Sequence, residues 1–114
     1  MFGFPGTWKI YLAVEPVDMR KQYDGLWAQA EQHLGENPRQ GALFVFSNKD
    51  RNRIKMLYCD GTGIWIMAKR LEKGRYSWPP SSDARKVSLT SEALTMLLGG
   101  IELKDGWQKA WYER

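Results

Sequence analysis

Cysteine and histidine are almost missing from this chain: its 114 residues hold one of each, Cys59 and His33. One cysteine cannot close an internal disulfide, which fits a reducing, cytoplasmic setting. One cysteine and one histidine cannot supply the clustered ligands of a zinc site. A Cys59–His33 nucleophile–base pair has no evident third group to orient the base. The two read more simply as a strand cysteine and a surface histidine. Long apolar runs are missing as well. The longest are four or five residues, such as Ala42–Phe46, against the ~18–20 of a membrane span, so no membrane partner is expected. The opening Met1-Phe2-Gly3-Phe4-Pro5-Gly6 lacks the basic start and apolar core of a signal peptide. Phosphate-loop, dinucleotide and zinc-protease motifs do not occur. No repeat, low-complexity tract or linker divides the chain. One domain over 1–114 is therefore expected, with 1–6 and 104–114 as candidate flexible ends and no cofactor.

What is present is a globular composition, 43% hydrophobic and 26% charged, with six Trp and a net charge of +4. A chain of this size buries roughly two-thirds of its unfolded surface, enough for a core without staples. The positive charge is not spread evenly. Residues 1–48 balance to −1 and residues 76–114 to 0, so the excess, +5, lies within 49–75. Such a block suits a polyanion-binding face, and equally a solvated sheet surface.

Periodicity supplies the elements. Trp8, Ile10 and Leu12 alternate with Lys9 and Tyr11, the pattern of a half-buried strand over Trp8–Val14. Asp18–Lys21 reads as a separate turn, and Asp24 as the N-cap of a helix whose stripe is Leu26, Trp27, Ala30 and Leu34. Tyr23 could staple onto that stripe, and Gly35 would end it. Ala42–Phe46 is apolar on both faces and so central. In Arg53–Cys59, Arg53, Lys55, Leu57 and Cys59 share one face. Asp60-Gly61-Thr62-Gly63 is a turn, Ile64–Leu71 a strand, and Arg75–Trp78 a short return strand. Lys86–Leu89 would add an edge strand. Thr90 would cap a helix carrying Leu94, Leu97, Leu98 and Ile101, stopped by Gly99-Gly100. Trp107, Ala110 and Trp111 are spaced for one last amphipathic turn. The expected fold is α+β: a mainly antiparallel sheet of four to six strands in hairpins, with two helices packed against it.

The chemistry favours binding over catalysis, and no catalytic or metal-ligating residue is assigned. Arg51, Arg53, Lys55, Lys69, Arg70, Lys73 and Arg75 form the candidate nucleic-acid-binding set. Tyr76 and Trp78 could stack on bases, although core packing is the stronger claim on both. A small metal-dependent nuclease would have to draw on Asp18, Asp24, Asp60 and Glu72, each of which has a simpler role in a turn or cap. Trp107 and Trp111, with Phe2 and Phe4, are candidate anchors for a protein partner.

Several motifs stand in a recognisable order. They are Val17-Asp18-Met19-Arg20-Lys21 with Tyr23-Asp24-Gly25-Leu26, then Leu43-Phe44-Val45-Phe46, Ile54-Lys55-Met56-Leu57-Tyr58 and Asp60-Gly61-Thr62-Gly63. Ala68-Lys69-Arg70-Leu71-Glu72-Lys73-Gly74-Arg75-Tyr76-Ser77-Trp78-Pro79 follows, then Leu89-Thr90 and Leu97-Leu98-Gly99-Gly100-Ile101. Over roughly residues 7–103 this resembles the TnpB-type accessory protein, the second open reading frame product, of the insertion-sequence-66 family of bacterial transposable elements. The resemblance implies a bacterial mobile-element protein that assists transposition, a DNA recombination process, beside a separate, larger transposase. It brings no catalytic residue. Expected partners are element-end DNA, the transposase, or both; an alternative is a module whose only partner is the transposase or another accessory protein. The tail departs from the basic tails common in that family: Lys104–Arg114 is charge-mixed and carries Trp107 and Trp111.

Overall fold

The computed structural model describes residues 8–80 and 83–100. Five strands, β1 (Ile10–Ala13), β2 (Leu43–Ser47), β3 (Arg53–Cys59), β4 (Ile64–Arg70) and β5 (Lys86–Leu89), lie in the order β4-β3-β2-β1-β5. Helix α1 (Tyr23–Ala28), which runs into a π-helical turn over Gln29–His33, covers one face of the sheet. Helix α2 (Ser91–Leu98) covers the other. The fold is α+β with a mostly antiparallel sheet, in agreement with the sequence. The sheet is open, with β4 and β5 as its edges.

The alternation of side chains sorts the core into two layers. Ile10, Leu12, Leu43, Val45, Ile54, Met56 and Leu89 face α2 and meet Leu94 and Leu97. Ala13, Phe44, Phe46 and Leu57 face α1 and meet Leu26, Ala30 and Leu34. Strand β2 is buried at every position, as its unbroken apolar run requires of a central strand.

Four local expectations need correction. Strand β1 is not half-exposed: Ile10, Leu12 and Ala13 are buried, because β1 lies inside the sheet between β2 and β5. Nor is the sheet hairpins throughout. β1 and β2 pair parallel, Ile10 with Leu43 and Leu12 with Val45, because α1 carries the chain back across one face, the crossover that parallel neighbours need. Asp24 is not the N-cap of α1. Gln22 holds that position without a side-chain cap bond, and Tyr23, at 52% exposure, staples nothing. Finally, Arg75–Trp78 joins no ladder; it is tied to the body by the Tyr76 N–H, which donates to the Arg51 carbonyl at 2.6 Å, and by Trp78 Nε1, which donates to the Ala13 carbonyl.

Other local signals act as read. Leu26, Ala30 and Leu34 are buried in steps of four, each overshooting a 3.6-residue turn by about 40°. The looser π turn, closed by the Leu34 N–H to the Gln29 carbonyl at 3.1 Å, brings the last of them back in line. Gly35 then ends the segment at φ +70°, a conformation glycine adopts freely. Thr90 caps α2, its hydroxyl accepting from the Ala93 N–H at 3.0 Å. Ile101 and the Trp107–Trp111 segment lie outside the described residues.

Candidate nucleic-acid interface

The hairpin β3–β4 decides where the central cations go. Its turn is built by Asp60, whose Oδ1 accepts from the Thr62 N–H, the Thr62 hydroxyl and the Gly63 N–H at 2.8–2.9 Å. Asp60 Oδ2 accepts from Trp65 Nε1 at 2.9 Å. These bonds to the ionised form, the Thr62 N–H first, hold the Asp60 carboxyl well below the usual carboxylate range. The turn fixes the register: Cys59 opposes Ile64, and counting outward Arg53 opposes Arg70.

The same register gives the hydrogen-bonding parity. The Leu71 N–H donates to the Asn52 carbonyl at 2.9 Å, so the next pair along, Arg53–Arg70, is non-hydrogen-bonded. That type brings the Cα atoms to about 4.5 Å and the side chains closest. Two guanidinium groups are thus juxtaposed on the α1 face, and no ion pair involves either of them among the described residues. Met19, Arg53, Lys55, Ala68 and Arg70 are among the residues lining a cleft of about 350 Å³ at this end of the sheet.

The remaining candidates are dispersed. Lys55 lies on the same face, but its ammonium donates to the Lys21 carbonyl at 2.9 Å and to Gln22 Oε1 at 3.2 Å, tying β3 to the start of α1. Lys69 projects to the opposite face and donates to the Leu98 carbonyl at 2.7 Å, at the negative end of α2. Arg51 turns inward: it donates to Ser47 Oγ at 2.5 Å and the Val14 carbonyl at 2.9 Å. Partial burial lowers the pKa of its guanidinium. Lys73 and Arg75 are exposed in the loop after β4. Tyr76 is 3% exposed within the α2-side core, and burial pushes its phenol up. Trp78 is half-buried, donating from Nε1 to the Ala13 carbonyl at 3.0 Å. Trp107, Trp111, Phe2 and Phe4 lie outside the described residues.

The acidic candidates do not converge. Asp18 is engaged by Arg20, whose side chain donates to it at 2.7–3.1 Å, and these bonds lower its pKa to about 2. Among the described residues no group of three His, Cys, Asp or Glu side chains could hold a metal ion. Nor is any helix among them long and apolar enough to cross a membrane.

Two features escaped the sequence reading. Trp65 stands 58% exposed on the α2-facing side of β4, braced by Asp60. Strand alternation and the turn carboxylate five residues earlier were its signal. Met19, which helps form the cleft, had no signal of its own.

Comparison with known proteins agrees with this architecture in extent. The model of the family described as IS66 Orf2-like protein matches residues 8–107. The uncharacterized protein y4hO of Sinorhizobium fredii (strain NBRC 101917 / NGR234) is 31% identical over 103 residues, covering 90% of this chain and 88% of that protein. The uncharacterized protein y4jC of the same strain is 33% identical over 102 residues, covering 90% and 86%. No solved structure matches the chain. The family match spans both core layers and the β3–β4 hairpin, and the chain belongs to the IS66 Orf2-like family of insertion-sequence accessory proteins.

Proposed function

We propose that this accessory protein assists its insertion sequence by binding DNA, as a binding protein rather than an enzyme, and that Arg53 and Arg70 make the central phosphate contacts. The observation that supports this reading is their direct opposition across β3–β4, with no ion pair to either among the described residues. Like charges placed opposite one another destabilise a sheet, and an anion between them removes that cost. Guanidinium forks match phosphate oxygens in pairs. Lys73 and Arg75 extend the positive rim. Arg51, Lys55 and Lys69 support the frame through their internal bonds.

Fluorescence anisotropy with labelled duplex and single-stranded element-end DNA tests this across a salt series. Phosphate contact predicts a log–log salt slope of about −0.9 per phosphate neutralised on duplex DNA. The Arg53→Ala/Arg70→Ala double variant is expected to lose at least tenfold in affinity at low salt and to flatten that slope by about 2. Failure of the wild-type protein to bind either DNA at low salt, or full retention of binding by the double variant, overturns the assignment.

A further inference from the structure

We infer that β4 is the pairing edge of a symmetric dimer: a second copy of this chain adds its own β4 antiparallel, about a two-fold axis at Met67. The inference is independent of what the cations bind.

The first argument is the state of the edge. Asp60 N–H donates to the Gly63 carbonyl at 3.1 Å and Leu71 N–H to the Asn52 carbonyl at 2.9 Å. Between these two points the ladder runs without a slip from Cys59–Ile64 to Arg53–Arg70. Alternation then turns the backbone groups of Trp65, Met67 and Lys69 towards β3. The N–H and C=O of Ile64, Ile66, Ala68 and Arg70 turn outward, where no described strand meets them. Edge strands are usually short, bulged, interrupted by proline or charged along their length. The opposite edge, β5, has four residues and begins with Lys86. The β4 edge has seven residues, contains no proline or bulge, and carries charge only at its last two positions, Lys69 and Arg70.

The second argument is the charge pattern, which excludes a parallel, in-register copy; among antiparallel registers, the one centred on Met67, the middle residue of β4, pairs all seven positions. A parallel, in-register copy would set Arg70 against Arg70 and Lys69 against Lys69. An antiparallel copy centred on Met67 sets Arg70 against Ile64 of the second copy, Lys69 against Trp65, and Ala68 against Ile66. No cation then faces a cation across the new seam, and the two Arg70 residues stand roughly 20 Å apart along it. The Ile64–Arg70 and Ile66–Ala68 pairs are the ones whose backbone groups point outward, so they exchange the ladder hydrogen bonds, each twice by symmetry. The third argument is Trp65. Its indole is fixed by Asp60 Oδ2 at 2.9 Å and stays 58% exposed. In the dimer it lies beside the stem and ammonium of Lys69 of the second copy, a cation–π contact. That ammonium has three donors and keeps its bond to the Leu98 carbonyl.

Sedimentation velocity of the full chain without DNA, from 5 to about 500 µM, tests the inference, those concentrations spanning the affinities of ordinary weak to firm dimers. The wild type is expected to dimerise. Ala68→Pro removes an outward N–H and leaves the β3 ladder whole, so it is expected to be monomeric with an unchanged circular dichroism spectrum. Trp65→Lys and Trp65→Glu lose the same ring and the same bond to Asp60, but place opposite charges against Lys69. The Glu variant is expected to associate at least tenfold more tightly than the Lys variant. A wild type that stays monomeric throughout, a fully dimeric Ala68→Pro, or equal association of the two Trp65 variants would each overturn the two-fold about Met67.

Discussion

The guanidinium carbon of Arg51 lies 5.1 Å from the centroid of the Trp78 ring. Arg51 also donates to Ser47 Oγ and the Val14 carbonyl, and its own carbonyl accepts from Tyr76. One side chain therefore joins the ends of β1 and β2 to the loop that follows β4. It does so from a left-handed backbone conformation, φ +58°, that non-glycine residues adopt at a cost.

Two substitutions separate these effects. Arg51→Ala is expected to lose about 2 kcal/mol through the charged hydrogen bonds. Arg51→Gly loses the same bonds but relieves the backbone, and should be more stable than Arg51→Ala by about 1 kcal/mol. Urea unfolding of the three proteins measures both differences. If the two variants are equally stable, the backbone cost is absent.

Acid should act first on the turns. Asp60 is held below its ordinary pKa and Asp18 is lowered to about 2. A carboxylate lowered in the folded state stabilises it above the unfolded pKa, near 4. That contribution is lost as pH falls through the folded values, from about 4 towards 2. The Trp65 indole N–H resonance, bonded to Asp60, reports protonation of the folded protein, so it is expected to hold its position through this window and to shift only below it. Asp60→Asn should remove that titration from the Trp65 signal while leaving the response of the Asp18 turn.

Gly25 is expected to resist replacement despite lying inside a helix. A Cβ there would stand 3.0 Å from Lys21 Cβ and 3.1 Å from Lys21 Cγ. Lys21 cannot easily withdraw, because its carbonyl accepts from Lys55. Gly25→Ala should therefore cost about 1 kcal/mol, although alanine is the better helix former by a similar amount. Introduced into a Lys21→Gly background, the same change should stabilise. Thermal unfolding of the four-member cycle gives the answer.

Lys55 and the Arg53–Arg70 pair should respond in opposite ways. Lys55→Met removes the tie from β3 to Lys21 and Gln22, and is expected to lower the unfolding midpoint while leaving DNA affinity within about threefold. Loss of one peripheral charge accounts for a change of that size. Arg53→Ala/Arg70→Ala should raise the midpoint or leave it unchanged, since it removes a like-charge contact, and should abolish most binding. Parallel melting and anisotropy measurements distinguish a framework cation from a contact cation.

The sequence made several of these placements readable because they depend on short-range pattern. Unbroken apolar character put Leu43–Phe46 in the middle of the sheet. Alternation put Arg53 and Lys55 on one side, and Thr90 marked the start of α2. Lys69 and Arg70 were within reach of the same rule, since neighbours on a strand must point opposite ways. Grouping them by charge obscured that separation. Other placements depend on partners far along the chain. Nothing within Trp8–Val14 states whether its neighbour runs parallel. Nothing near Arg51 announces an inward side chain, because its left-handed conformer occurs without glycine. The Arg75–Trp78 segment has strand-like alternation, but its Tyr76 N–H is taken by the Arg51 carbonyl, in the turn before β3, rather than by the β4 edge.

The place of β1 bears on how the molecule assembles. Strands β2, β3 and β4 follow one another through tight connections, so they can collapse as soon as that stretch of chain is available. β1 comes from the beginning of the chain yet sits between β2 and the late strand β5. It must wait, with an unsatisfied edge, until Lys86–Leu89 has been made. Pairings between distant segments form slowly. The rate-limiting event in folding is thus expected at the β1–β5 seam, and a nascent chain stalled before Lys86 would display a sticky parallel pair with nothing to close it.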